Sequence, residues 1–252
     1  MKYVVGITTA PRQADYLTRT LASLRAAGWE RPTVFAEPGS SVPSGPAVCG
    51  VVIRERTLGI FGNWRQSLID LLEESADAVL LCQDDVVFCR KVRDRLERDL
   101  WPTPRTGCVS LYCGSRHATG RGMTRIDEKN IWGACALVFP RSVAERLLNH
   151  RVTRTWGSSR KVDVLVGTVL RALKLDLWAY TPSLAQHIGL LSTQAGWGDA
   201  TEKRLACDFA GEDFDAYTCS IPVAESRGFS KSCLAKQIDA AHDYGGVATN
   251  RP

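Results

Sequence analysis

The chain has 252 residues, of which 44% are hydrophobic, 23% charged and 8% aromatic. This composition is that of an ordinary globular protein and excludes a disordered or fibrous one. The formal net charge of +5 is mild, and no stretch approaches the roughly 18 consecutive apolar residues that a membrane span requires. The first residues lack the pattern of a signal peptide. We therefore expect a soluble, cytoplasmic protein without a transmembrane segment.

The first 100 residues alternate strand patterns with helix patterns. A continuous apolar run such as residues 78–82 suits a strand that is buried on both faces of a parallel sheet. Strands are predicted at residues 3–8, 33–36, 48–53 and 78–82, with one helix that contains Leu17, Leu21 and Leu24 and ends near Gly28, and another that begins at Asn63. This alternation predicts an α/β fold with a Rossmann-like, mostly parallel central sheet flanked by helices.

The second half is less regular. Strands are predicted at residues 108–112, 134–139 and 175–180, and helices at 141–148 and 163–173. Beyond about residue 198 the pattern weakens, although one helix is expected near residues 230–242. We therefore predict a main domain at 1–198, with halves at 1–90 and 91–198, and a partly irregular extension at 199–252.

Nine cysteines form no Cys-x-x-Cys pair, and their number is odd. Zinc-ribbon and redox functions are therefore weakly supported. Several of the nine lie inside apolar runs, where a cysteine behaves as a small buried hydrophobe. We expect reduced thiols, with a disulfide among Cys207, Cys219 and Cys233 as the alternative.

The most informative residues are Gln83, Asp84 and Asp85, which follow the buried run directly. Ligands of open α/β sheets bind outside the carboxyl ends of the strands, where this segment lies. Two adjacent carboxylates repel each other unless a cation or hydrogen-bond donors compensate, so the segment suggests Mg²⁺ or Mn²⁺. The alternative is an acidic turn that caps a following helix.

The surrounding sequence resembles a known family over about the first 90 residues. The first strand ends in Thr-Thr-Ala-Pro-Arg, the next helix contains Leu-x-x-Thr-Leu-x-Ser-Leu, Gly59 and Asn63 lie at the next helix, and Leu-Cys-Gln-Asp-Asp-Val follows. This pattern resembles the nucleotide-sugar-binding half of family-2-like GT-A glycosyltransferases. The resemblance implies the GT-A fold and a metal-dependent transfer of a hexosyl or N-acetylhexosaminyl group, with inversion, from a UDP-sugar to an acceptor hydroxyl.

In that family an Asp-x-Asp motif stands where this chain has Gln83, Asp84 and Asp85. The resemblance implies Asp85 as a metal ligand and Asp84 near the ribose or the metal, while glutamine at the first position departs from the motif. The residues implied at the donor site are Thr8, Thr9, Ala10, Arg12, Glu37, Asn63, Gln83 and Asp84. The alternatives are an exposed loop charge for Arg12, an ordinary turn residue for Glu37 and a helix N-cap for Asn63.

A second segment, residues 180–189, is similar to the Pro-Ser-Leu-x-Gln-His-x-Gly segment of the type IV branching N-acetylglucosaminyltransferases. It implies His187 as the second protein ligand of the metal, and a structural histidine is the alternative. Asp163 opens a helix where such enzymes keep the catalytic base that takes the acceptor proton, although an acid there also favours the helix dipole. Trp132 and Gly133 resemble the acceptor-side loop, with core burial of Trp132 as the alternative.

The acceptor stays open between a glycan, a lipid-linked sugar, a small molecule and a hydroxylated base in DNA. Basic residues crowd the middle of the chain, which fits either a polyanionic acceptor or solvated loops. They are Arg116, Arg121, Arg125, Arg151, Arg154, Arg160 and Lys161. Two competing functions are a nucleotidyltransferase and an inert nucleotide-sugar-binding protein on the same fold.

Overall fold

The computed structural model describes residues 1–12, 14–43, 50–114, 122–127, 133–157, 161–189, 205–206 and 208–218. Contacts divide the chain into one compact unit at Met1–Ile221 and another at Pro222–Pro252. The second unit lies outside the described residues, as do the predicted helix at 230–242 and the predicted domain boundary at residue 198.

The described residues form ten strands and six helices. The strands are β1 Tyr3–Thr9, β2 Thr33–Ala36, β3 Gly50–Ile53, β4 Ala78–Gln83, β5 Val86–Phe88, β6 Thr106–Ser110, β7 Gly122–Ile126, β8 Ala136–Pro140, β9 Asp176–Thr181 and β10 Ala185–His187. The helices are α1 Leu17–Ala26, α2 Gly59–Leu72, α3 Val92–Asp99, α4 Arg141–Asn149, α5 Arg151–Arg154 and α6 Val162–Leu173.

Eight of these strands form one sheet in the order β3-β2-β1-β4-β8-β6-β9-β7. The pairs β3–β2, β2–β1, β1–β4 and β6–β9 are parallel, whereas β8 and β7 run against their neighbours. Six of the eight strands therefore point the same way. The predicted α/β class, with a mostly parallel central sheet flanked by helices, is confirmed.

Side chains of the central strands alternate between two apolar layers. Leu80 on β4 packs in the same cluster as Leu21 of α1, and the next residue, Leu81, packs with Leu68 of α2 on the other side of the sheet. Both faces of β4 are therefore covered by helices, which explains the uninterrupted apolar run of this strand.

Helix α2 begins at Gly59 rather than at the predicted Asn63, which lies inside the helix and is buried. The carboxylate of Glu37 accepts a hydrogen bond from the backbone N–H of Leu58 at 2.9 Å. Free N–H groups at a helix start need such an acceptor. The N-cap alternative for Asn63 is therefore wrong, because the carboxylate of Glu37, which is distant in sequence, supports a start of α2 at Gly59.

Five described cysteines, Cys82, Cys89, Cys108, Cys113 and Cys135, are buried thiols. The other four lie outside the described residues. Within the described part of the chain, no helix is long and apolar enough to span a lipid bilayer.

Candidate functional site

The acidic turn lies between β4 and β5, at the carboxyl end of the parallel strands. The backbone N–H of Asp84 donates to the carbonyl of Thr8 at the end of β1 at 3.2 Å. The hydroxyl of Thr20 on α1 donates to the carbonyl of Asp84 at 2.7 Å. Asp84 and Asp85 are both buried. Since a strand and not a helix follows, the helix-capping alternative for this turn is wrong.

Arg12, in the loop after β1, contacts both carboxylates. Its Nη2 lies 2.6 Å from Oδ1 of Asp84 and its Nη1 lies 2.6 Å from Oδ2 of Asp85. The side chain of Arg12 is 16% exposed, so the alternative of an exposed loop charge is wrong. The hydroxyl of Thr9 donates to Oδ2 of Asp84. The guanidinium thus offsets the repulsion that two adjacent buried carboxylates would otherwise feel.

His187 reaches the same site from the other half of the chain. Strand β10 pairs antiparallel with β5, with His187 opposite Val86. This pairing places Nε2 of His187 3.1 Å from Oδ2 of Asp85, and the backbone N–H of Ile188 donates to the carbonyl of Asp85 at 2.8 Å. The two predicted metal ligands, Asp85 and His187, therefore lie in contact.

The two carboxylates titrate differently. Burial, reinforced by the charge of Asp85, raises the pKa of Asp84 to about 6. Burial alone would also raise the pKa of Asp85, but the charges and hydrogen bonds of His187 and Arg12 hold that pKa below its ordinary value. The two adjacent carboxyl groups therefore lose their protons over different pH ranges, Asp85 at the lower pH.

The oxygen atoms at the site are incompletely bonded. Oδ1 of Asp85 is buried and accepts no hydrogen bond from any described residue, and the described partner of the buried Oδ1 of Asp84 is the guanidinium of Arg12, as an ion pair. Buried carboxylate oxygens without partners are costly unless a cation or donor reaches them.

Gly189 closes the site over Asp85. A methyl group at Gly189 would overlap Oδ2 of Asp85 and would lie 3.0 Å from Cγ of Asp85 and 3.1 Å from Cε1 of His187. Only glycine leaves these side chains where they are. The absence of a side chain here thus preserves the space around the carboxylate.

These residues fit a hard divalent cation. Carboxylate oxygens suit Mg²⁺ or Mn²⁺, and imidazole is accepted by Mn²⁺. Over the described ranges, no three His, Cys, Asp or Glu side chains form a preassembled metal cluster. The positive charge between Asp84 and Asp85 is supplied by Arg12.

The other predicted donor-site residues lie along the same edge or behind it. Gln83 ends β4 opposite Thr8 of β1, and Ala10 follows β1 directly. Asn63 accepts a hydrogen bond from Nε of Arg54 at 2.9 Å and donates to the carbonyl of Phe35. The contacts of Asn63, like the contact of Glu37 with α2, support the fold, and nucleotide binding by either residue stays a prediction.

Two of the residues predicted at the catalytic and acceptor sites, Asp163 and Gly133, are in contact. Asp163 lies in the first turn of α6, and its Oδ2 accepts the backbone N–H of Gly133 at 2.9 Å. Its Oδ1 accepts the N–H of Val164 at 2.8 Å. Trp132 lies outside the described residues. A role for Asp163 as the base stays a prediction.

Two residues of the site were not predicted as such. Thr20 holds the acidic turn through its hydroxyl, which also accepts the N–H of Val86 at 3.3 Å. The Leu-x-x-Thr motif contained this residue but gave no sign of the contact. Gly189 belonged to the segment 180–189, yet only the position of Asp85 shows why glycine is required there.

No protein-family model matches the sequence, and no curated protein matches it. Among solved structures, the chain is similar to the mannosyltransferase PcManGT from Pyrobaculum calidifontis, solved in complex with GDP-Man and Mn²⁺, with a TM-score of 0.49 and 15% identity over 70% of this chain and 53% of that one. It is also similar to HddC from Yersinia pseudotuberculosis, with a TM-score of 0.45 and 11% identity over 71% of this chain and 90% of that one. The chain thus spans about half the length of the mannosyltransferase.

Proposed function

We propose that the chain is a metal-dependent GT-A glycosyltransferase that moves a hexosyl or N-acetylhexosaminyl group from a nucleotide sugar to an acceptor hydroxyl. One observation carries the proposal: Asp85 and His187, from opposite halves of the main unit, lie in contact, next to the buried Asp84, at the carboxyl ends of the parallel strands. Ligands of open α/β sheets bind at this edge.

In this proposal Asp85 and His187 hold Mn²⁺ or Mg²⁺, with Asp84 beside the metal or the ribose. When bound, the cation would neutralise the charge that develops on the departing nucleoside diphosphate. The backbone of residues 8–10 would hold the nucleotide, for which UDP is our first candidate by resemblance of the sequence. The guanidinium of Arg12 suits phosphate oxygens.

The transfer itself needs a base and an acceptor site. In an inverting reaction the acceptor oxygen bonds to the anomeric carbon as the bond from that carbon to the phosphate oxygen breaks. We assign the acceptor proton to the carboxylate of Asp163. Gly133, which bonds to Asp163, and the neighbouring Trp132 would then form part of the acceptor site.

Binding is tested by thermal unfolding with a panel of nucleoside diphosphates and nucleotide sugars, each with and without Mn²⁺. A ligand that binds only the native state stabilises it by about 2.7 kcal/mol at a concentration 100 times its Kd. We expect a metal-dependent rise in Tm for one nucleotide, lost in Asp85→Asn and kept in Asp94→Asn, which alters an exposed carboxylate. The absence of a shift with every nucleotide refutes the proposal.

The products identify the reaction. Release of a nucleoside diphosphate from a nucleotide sugar, with transfer to an added acceptor, supports a glycosyltransferase. Release of pyrophosphate from a nucleoside triphosphate identifies a nucleotidyltransferase instead. Binding without turnover across metals and acceptors identifies an inert binding protein.

We propose a glycan, a small molecule or a hydroxylated base in DNA as the acceptor. Of the basic residues in the middle of the chain, Arg116, Arg121 and Arg160 lie outside the described residues, and Arg125 forms an ion pair with Asp176 at 3.0 Å. A DNA acceptor predicts binding that weakens steeply with added salt, because phosphate contacts release counterions. Salt-insensitive transfer leaves a glycan or a small molecule.

A further inference from the structure

We propose that Arg12 is a built-in counter-cation that a divalent metal must displace, and that the diphosphate of the donor takes up the released guanidinium. The inference rests on the proposed function and concerns the order of events at the same site. It makes metal and nucleotide binding mutually dependent.

The first argument is that Arg12 already contacts the carboxylate oxygen that lies beside His187. Oδ2 of Asp85 is the oxygen that faces His187, at 3.1 Å from Nε2, and Arg12 Nη1 already contacts this same oxygen at 2.6 Å. A cation held between this oxygen and the imidazole of His187 would compete with the guanidinium for Oδ2. The second guanidinium nitrogen takes Oδ1 of Asp84 at 2.6 Å. Arg12 thus covers both carboxylates at once.

The second argument is charge. The turn carries two adjacent buried carboxyl groups, and the guanidinium of Arg12 is a positive charge that contacts both of them. A divalent cation placed beside the guanidinium would be strongly repelled in this buried setting, since Coulomb energies grow as the local dielectric falls. Metal and guanidinium therefore compete for the two carboxylates.

The third argument is that few described contacts other than the two carboxylates hold Arg12 in place. Its side chain comes from the loop between β1 and α1, and its Nε has no hydrogen-bond partner among the described residues. Apart from the two carboxylates, the described contact of the guanidinium is the ring of Tyr16, whose centroid is 5.8 Å away. A guanidinium released at this edge meets the phosphate groups of a bound donor, whose paired oxygens match its fork of N–H groups.

The test measures Mn²⁺ binding to the donor-free protein at pH 7.5 by calorimetry, with paramagnetic resonance of free Mn²⁺ as a second readout. We expect Arg12→Gln to bind Mn²⁺ about tenfold or more tightly than the wild type, the size of a typical coupling between sites. Arg12→Lys keeps a positive charge that cannot bridge both carboxylates, so we expect its affinity for Mn²⁺ to lie between those of the wild type and Arg12→Gln. The control Arg19→Gln, on α1, removes a partly exposed ion pair with Glu212 and leaves Mn²⁺ binding unchanged.

The same titrations are repeated with the nucleoside diphosphate that raises the Tm. We expect it to increase the Mn²⁺ affinity of the wild type more than that of Arg12→Gln, because the variant has no guanidinium to move. If Arg12→Gln does not fold, Arg12→Lys carries the comparison. Equal or weaker Mn²⁺ binding by both variants overturns the role of Arg12, while the proposed function survives if the wild type still binds metal and nucleotide. Failure of the wild type to bind Mn²⁺ with any nucleotide overturns both.

Discussion

Gly189→Ala is expected to disable the metal site without unfolding the protein. The added methyl group would overlap Oδ2 of Asp85 and lie 3.0 Å from Cγ of the same residue. Carbon atoms pack best at about 3.5–4.0 Å, so the Asp85 carboxylate must move by at least about 0.5 Å. A functional group must be held within about 0.5 Å of its productive position, and a misplacement of about 1 Å costs on the order of 100-fold in rate. We therefore expect Mn²⁺-dependent nucleotide binding and turnover to fall by about 10- to 100-fold.

The assay is calorimetric titration of Mn²⁺ in the presence of the nucleotide, with Tm as the check on folding. The backbone of Gly189 does not lie in the left-handed region, so alanine is permitted there. The matched control is Gly50→Ala on β3, where the described atom nearest to a new methyl group is Cγ2 of Thr33, at 4.0 Å. Wild-type binding by Gly189→Ala, with the fold intact, would refute the argument that Asp85 must stay where it is.

Three further predictions concern stability, pH and catalysis. Leu68→Ala removes a fully buried side chain of α2 and is expected to lower the free energy of unfolding by about 2–5 kcal/mol in urea titrations, whereas Val164→Ala, at a side chain 48% exposed, changes it by about 0.5 kcal/mol or less. Burial and the charge of Asp85 raise the pKa of Asp84 from its ordinary 3.8 to about 6. The native state thus binds more protons than the unfolded state between these values, and this group lowers stability as pH rises from about 4 to about 6, by at most about 1.4 kcal/mol per pH unit. Asp84→Asn should flatten that part of the pH profile of Tm. Asp163→Asn is expected to lower kcat by about 10²- to 10⁴-fold with donor binding retained, as loss of a general base does.

Each of these three predictions would be contradicted by a specific result. A small loss of stability in Leu68→Ala would mean that the two apolar layers repack around the cavity. A pH profile of Tm that is the same with and without Asp84 would mean that the carboxylate is not held in a low-dielectric site. A loss of donor binding in Asp163→Asn equal to its loss of turnover would show that Asp163 positions the Gly133 loop rather than taking a proton.

The parts of the fold that were predictable are those in which local pattern and burial agree. Strand β4 was predicted from its apolar run and helix α1 from its leucines. Both predictions are correct because each element is buried on the faces that its pattern implies. Helix α3 was missed, since six of the eight residues in Val92–Asp99 are charged and only Val92 and Leu96 are apolar, which is too few to establish a helical period. Strand β10 was missed because a segment of three residues is too short to show the alternation of a strand. This strand forms through its pairing with β5, which is distant in sequence.

The candidate site was predictable in its residue types but not in its contacts. Asp84 and Asp85 were found because acidic residues directly after a buried strand are unusual, and His187 was found through resemblance alone. That Arg12 bridges both carboxylates depends on the path of the loop after β1, which no local pattern encodes. The role of Glu37 at α2 is invisible for the same reason.

The short pairing of β5 with β10 has a consequence for how this protein tolerates change in length. Successive side chains of a strand point to opposite faces, so a shift of β10 by one residue would turn His187 to the other face, away from Asp85. An insertion or deletion of one residue between Pro182 and His187 should therefore abolish the site even where every side chain is retained. The spacing of this segment is thus as much a part of the site as its histidine.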